Sequence, residues 1–277
     1  MTGDASLEAW TAEVDRPDRD ISLAGAALAL SRIEHPELDT SRYLGHLDEL
    51  AHAIERSRSA ASPVERLHGL REYLFEEQGF KGNRTDYFDP RNSFLSDVLD
   101  RRMGIPISLS LVLIEVGRRL GLPMEGIGLP GHFVTGVRLD DAPILLDPFH
   151  GGTILTPEAC RELVSKALGK RVRLTEATFA PVGNRQFLAR MLANLKGIYW
   201  RTEQWDKAVR VSDHLIVLDP KAGTERRDRG IALAKAGQYQ RGLADWERYL
   251  TEFPDAPDNV EMRGHLRRVR QKLAELN

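Results

Sequence analysis

Asn92-Ser93-Phe94-Leu95, Gly104-Ile105-Pro106-Ile107-Ser108, Pro130-Gly131-His132-Phe133 and Leu146-Asp147-Pro148 punctuate the stretch that decides how this chain is read. Asn92 is placed to cap a helix over Ser93 to Arg102, which Gly104 then ends at its C′ position. Pro106 opens a second helix reaching Leu120, where proline suits a first position whose N–H has no helical partner. Its apolar residues, from Ile107 through Val116 to Leu120, cover most of its circumference, so it should be buried on nearly all sides. Two strands follow, about His132 to Leu139 and Pro143 to Asp147, with Asp140-Asp141-Ala142 at the turn. A helix start followed by two strands, one carrying a histidine and the next an aspartate, is the layout of a thiol-type catalytic site. Here no cysteine stands at the helix start.

The spacing of the two strands allows a geometric check. A two-residue turn at Asp140-Asp141, or a four-residue loop from Leu139 to Ala142, sets Val134 opposite Asp147. His132 has the parity of Val134, so His132 and Asp147 then share a face as diagonal neighbours. Diagonal Cα atoms lie roughly 7–8 Å apart, within reach of an imidazole–carboxylate hydrogen bond. A three-residue loop would separate them to opposite faces. An aspartate that orients a histidine is half of a catalytic triad. The competing reading is a strand-end histidine and a turn aspartate before Pro148.

Ser108 and Ser110 are the only polar groups in the first two turns of the Pro106 helix. The positive end of a buried helix favours a thiolate or a bound anion, whereas a serine still needs a base to take its proton. The competing role for both hydroxyls is a bond back to a carbonyl one turn earlier. Cys160, the single cysteine, follows a Thr156-Pro157 helix start and reads as a buried helical residue rather than a substitute nucleophile.

Composition narrows the classes. A chain of 277 residues with 42% hydrophobic and 29% charged residues can form a substantial core. Its net charge of −2 points to neither nucleic acid nor an anionic membrane. One cysteine excludes an internal disulfide framework and a cysteine-rich zinc site. The acidic N-terminus is no signal peptide, and the apolar run Ile105 to Ile114 is too short to span a bilayer. The expectation is a cytoplasmic protein without cofactor or metal.

Upstream, Ile21 to Gln78 reads as helices: Leu23 to Leu30, a second with Asp39 or Thr40 as cap, and a third from Ser62-Pro63. They form a packing layer. The loop Asp86 to Asn92, rich in Tyr, Phe and Arg, leads into the central region. After residue 183 two units share a tetratricopeptide pattern. Leu195, Tyr199, Trp205, Ala208 and Pro220 belong to the first, and Gly230, Leu233, Tyr239, Gly242, Trp246 and Pro254 to the second. Pro220 and Pro254 stand 34 residues apart, the period of this repeat. A last helix, Asp258 to Leu276, covers the open end with Arg263, Arg267, Arg268 and Arg270 on its wet side. Two repeats are too few to stand alone, so they should pack on the preceding domain, with the junction at Phe179 to Phe187.

The motifs of the central stretch resemble the transglutaminase-like (papain-like) core. Their wording is similar to its SirB/YchA-type branch in bacteria, over about residues 20 to 260. The resemblance implies an α+β, mostly helical fold with a small antiparallel sheet over residues 1–182, and a helical tetratricopeptide tail over 183–277. In active members the helix begins Gly-X-Cys; His132 and Asp147 match the family's histidine and aspartate, while Pro106 falls where the cysteine belongs. Three readings follow. One is a non-catalytic, regulatory protein that binds a protein or peptide through a pocket at His132, Asp147, Asn92, Pro106 and Ser110 and through the repeats. Another is a serine-type peptidase or amidase using Ser108, His132 and Asp147. The third is a scaffold. Oligomeric state is not specified by the sequence.

Overall fold

The computed structural model describes residues 5–57, 62–139 and 143–276. Four helices form the N-terminal layer: α1 (Ala5–Val14), α2 (Leu23–Ser31), α3 (Thr40–Ser57) and α4 (Pro63–Glu72). Short polar side chains start them. Ser22 accepts the Gly25 N–H at α2, and Asp39 accepts the Ser41 N–H at α3. Ser62 and Glu65 complete a capping box at α4. Helix α4 runs on into a π-helical turn, Tyr73–Glu77. The helix α1 has no counterpart in the sequence reading. It buries only Ser6, Trp10 and Val14, a stripe too thin to stand out.

A short parallel pair, β1 (Lys81–Gly82) and β2 (Met103–Gly104), brackets the loop and helix α5 (Leu95–Arg101). The expected start and end of this helix are both corrected. Asn92 closes a 3-10 turn, Pro90–Asn92, and Phe94 stands at the N-cap of α5 with no side-chain hydrogen bond. At the other end Arg102, not a glycine, takes the left-handed conformation (φ 54°), and its N–H donates to Val98. Gly104 serves a different need: a Cβ there would lie 2.6 Å from Ser108 Oγ.

Helix α6 (Pro106–Arg119) is buried without interruption from Pro106 to Gly117. Helices α2 to α5 cover one side of it. On the other lies a four-stranded antiparallel sheet in the order β3 (Met124–Ile127), β4 (Val134–Val137), β5 (Ile144–Asp147), β6 (Thr153–Leu155). The sequence reading had only β4 and β5. Their ladder pairs Thr135 with Leu146 and Val137 with Ile144. That is the register a two- or four-residue turn sets; the turn itself, Asp140 to Ala142, lies outside the described residues. Helix α7 (Pro157–Leu168), capped by Thr156, follows β6.

Four antiparallel helices come next: α8 (Asn184–Arg201), α9 (Trp205–Leu218), α10 (Gly223–Lys235) and α11 (Tyr239–Glu252). Helix α12 (Asn259–Leu276) covers the last of them. Arg263, Arg267, Arg268 and Arg270 are exposed on its outer side. One hydrophobic core runs from Trp10 through α6 to Leu233 in α10, across residues 182 and 183. The junction is fastened at several points. Val182 N–H donates to Gly126, and the Asp18 carboxylate accepts the N–H groups of Asn184 and Arg185 at the start of α8. Trp10 Nε1 donates to the His214 carbonyl of α9. No helix among the described residues is long and apolar enough to cross a membrane.

Trp10 is fully buried between α1, α2 and α9. Trp10→Ala is expected to cost about 3–5 kcal/mol, the usual loss for a buried aromatic. Urea unfolding of the full chain measures it, and a loss under about 1 kcal/mol would show that α1 is not part of the core.

Candidate functional site

Asp147 is the last residue of β5 and has no exposed surface. Its side chain caps the 3-10 turn Pro148–His150, Oδ1 accepting the N–H groups of Phe149 (3.0 Å) and His150 (3.3 Å). That leaves Oδ2 for two imidazoles. His132 Nε2 lies 3.0 Å from it and His150 Nδ1 2.7 Å. Burial disfavours the charged carboxylate, but the hydrogen bonds and charges of His132 and His150 outweigh it and hold Asp147 below the ordinary aspartate value. A carboxylate only accepts, so both imidazoles donate to it. His132 Nδ1 and His150 Nε2 are then the nitrogens left with a free lone pair. Asp147, His132 and His150 bring their ligating atoms within 4.8 Å of one another.

The three residues line a cleft of about 590 Å³. Pro106, at the start of α6, forms part of its wall, with Tyr87 and Phe149 beside it. The Phe149 ring stands edge-on to both His132 (6.3 Å between centroids) and Tyr87 (6.0 Å). Helix α7 supplies the opposite wall with Glu162, Leu163, Lys166 and Ala167. A larger cleft of about 750 Å³, at Val14, Arg185 and Leu218, gathers no comparable chemistry.

His132 is aimed by backbone geometry on both sides. Gly131 precedes it at φ +72°, a conformation that side chains other than glycine rarely take, with α7 packed close to where a Cβ would be. From α8, Arg190 donates to the carbonyls of both Leu129 and His132. Its guanidinium also sits over the Phe133 ring, which meets Phe187 of α8 edge-on at 4.8 Å. The first helix of the repeat therefore supports the histidine from behind.

Other expected site residues lie elsewhere. Ser108 is fully buried; its hydroxyl donates towards the carbonyls of Asn92 (2.5 Å) and Ile105 (3.1 Å) and accepts the Ile105 N–H. It has no hydrogen bond to His132 and does not line the cleft, so the Ser108-His132-Asp147 triad is not assembled. Asn92, also fully buried, does not line the cleft either. Its amide donates to the carbonyls of Asp86 (2.7 Å) and Tyr87 (3.2 Å), and so holds the loop that carries Tyr87 to the cleft. A cap would need its Oδ1 to accept, and that oxygen instead takes the Asn83 amide (3.1 Å) and the Arg101 guanidinium (3.5 Å). Ser110 is buried outside the cleft, and its hydroxyl has no partner, contrary to the expected bond one turn back. Cys160 sits in the small core under α7; burial, with the nearby Asp147 charge, pushes its thiol up to about 11.

His150 was missed because it reads as a turn residue, and with it the possibility of a metal. The available signal was its place three residues after Asp147 behind Pro148, where a one-turn helix folds a side chain back on its own cap. The α7 wall carries no motif at all.

His132, two residues before β4 and not inside it as expected, and Asp147, at the end of β5, meet beside the start of a buried helix, an arrangement similar to that of a transglutaminase-like site. The model of the transglutaminase-like superfamily matches residues 41–193, and a tetratricopeptide repeat model matches residues 195–267. The chain is 38% identical to a UPF0162 protein of Xylella fastidiosa over 94% of each chain. It is 31% identical to one of Vibrio cholerae, covering 86% of this chain and 88% of that protein. F-box only protein 21 of Mus musculus is 36% identical over 47% of this chain and 21% of its own length. No solved structure gives a significant match. The chain belongs to the transglutaminase-like superfamily and, within it, to the UPF0162 family.

Two measurements check these assignments. Ser108→Ala leaves the Ile105 N–H only its long 3.4 Å bond to the Asn92 carbonyl, removes the hydroxyl donor from that carbonyl, and should cost about 1–3 kcal/mol in urea unfolding. Cys160 should resist iodoacetamide at pH 8 in the folded chain and react once unfolded, since about one thiol in a thousand is ionised there.

Proposed function

We propose that this chain is a transglutaminase-like protein without acyl-transfer chemistry, which binds a protein or peptide partner through the His132–Asp147–His150 cleft and its helical repeats. The observation that carries this reading is the helix start facing His132. Pro106 occupies it, and the nearest hydroxyl of the same turn, Ser108, is committed to backbone carbonyls. An imidazole oriented by a carboxylate has no thiol or hydroxyl to activate there. What remains is a cleft with aromatic edges, two imidazoles with free lone pairs, and Glu162 and Lys166 at its rim. Such a lining suits recognition of a segment that offers both apolar and hydrogen-bonding groups.

The repeats support the same reading, since stacked helical pairs commonly present a surface to partner segments. A second cleft, of about 610 Å³, lies among α8, α10 and α12 with Trp200, Ile231 and Met262 in its wall. The loop carrying Tyr87 bridges the two regions, because Arg201 at the end of α8 stacks on Phe88, 3.5 Å from its ring centroid. A regulatory role in the cytoplasm and membership of the SirB/YchA-type branch belong to this proposal.

Ala167 is exposed at the cleft wall, so Ala167→Trp fills the cleft without touching the core. Affinity capture from a bacterial lysate is expected to lose a partner on Ala167→Trp and on Lys166→Glu, both exposed at the cleft wall, with melting temperatures close to wild type. Identical partner sets from all three chains would leave the scaffold reading in its place. A fluorophosphonate probe should leave Ser108 unlabelled; labelling at Ser108 would overturn the non-catalytic reading.

A further inference from the structure

We propose that His132, Asp147 and His150 bind one divalent transition-metal ion of borderline softness, zinc or ferrous iron, with an open coordination position facing the cleft. The inference goes beyond partner binding and does not depend on it. A triad uses one imidazole and one carboxylate, and His150 is a second imidazole that triad chemistry leaves without a task. Two imidazole nitrogens and one carboxylate oxygen are a donor set with which proteins hold these ions, and they leave positions free for water or ligand.

The distances fit. An ion bound at about 2.0–2.2 Å sets neighbouring ligand atoms about 3–3.5 Å apart. Asp147 Oδ2 lies 3.0 Å from His132 Nε2 and 2.7 Å from His150 Nδ1, so on metal binding the rings take their other tautomers, with the protons on His132 Nδ1 and His150 Nε2, and those two edges open by only a few tenths of an ångström or a little more. All three atoms already lie within 4.8 Å of one another.

Support behind the ligands is also in place. The N–H groups of Phe149 and His150 hold Asp147 Oδ1, which presents Oδ2 to the imidazoles. Arg190 grips the His132 carbonyl. His150 is the adjustable member: its side chain is 41% exposed, and Gly151 and Gly152 follow it, both at positive φ. Pro106 lines the cleft without offering a competing side-chain ligand. Calcium and magnesium prefer an all-oxygen shell, which two imidazoles do not provide. Among the described residues the other histidine–carboxylate ion pairs, His35 with Asp97, His68 with Glu72 and His265 with Glu261, each join one imidazole to one carboxylate, so one ion per chain is expected.

The test uses the full, chelator-treated chain with no partner present, so its failure is separate from failure of the partner-binding reading. Calorimetric titration with Zn²⁺ is expected to give one ion per chain. Co²⁺ should give the visible absorption of a four- or five-coordinate nitrogen–oxygen site. His150→Ala, at a half-exposed position, should leave the far-UV circular dichroism of the metal-free chain intact, weaken Zn²⁺ by about tenfold or more, and bleach the Co²⁺ bands. Asp147→Asn should do the same to metal affinity. Absence of Zn²⁺ binding by the wild-type chain, or equal affinity in wild type and both variants, would overturn the assignment.

Discussion

A helix that is apolar around most of its circumference has to be covered on nearly every side, and α6 imposes that demand on the rest of the chain. Helices α2 to α5 meet it on one flank and the four-stranded sheet on the other. With the body of the helix enclosed, its first residue is left at the meeting point of loop, sheet and α7. The cleft forms there, with Pro106 in its wall beside the strand end that carries Asp147. Even the buried polar groups around the helix start serve the enclosure. Ser108 ties α6 to the Asn92 carbonyl, and the Asn92 amide ties that same residue to the loop before it.

Asp147 performs the second organising task. A carboxylate with no exposed surface must have its charge compensated by hydrogen bonds, and it receives four: two from backbone N–H groups and two from imidazoles. The arrangement is economical in residues. One side chain ends a strand, starts a turn and sets the orientation of two rings. The same geometry serves acyl transfer when a thiol stands opposite; with proline in that place, it offers lone pairs and an apolar edge instead.

Much of this was legible in the sequence. The unbroken apolar run of α6, the parity of His132 and Asp147, and the 34-residue spacing of Pro220 and Pro254 are periodic signals, and periodic signals survive without tertiary context. What escaped was set by tertiary contacts. Strand β3 is Met124-Glu125-Gly126-Ile127 and β6 only Thr153-Ile154-Leu155, too short for alternation to declare itself. Asn92 looks like a helix cap until Asn83 and Arg101 claim its side-chain oxygen. His150 joins the site through a turn no longer than three residues, and Arg190 reaches it from another segment altogether.

Arg190 carries one more implication. It belongs to the first helix of the repeat, yet its guanidinium holds the carbonyls on either side of the left-handed Gly131 turn. Phe187 of the same helix closes over Phe133. A chain cut after residue 182 would take the guanidinium from those carbonyls and leave that ring bare, and the histidine would lose the backing that aims it. The tail is thus no interchangeable appendage. The cleft is completed by a helix that the repeats supply.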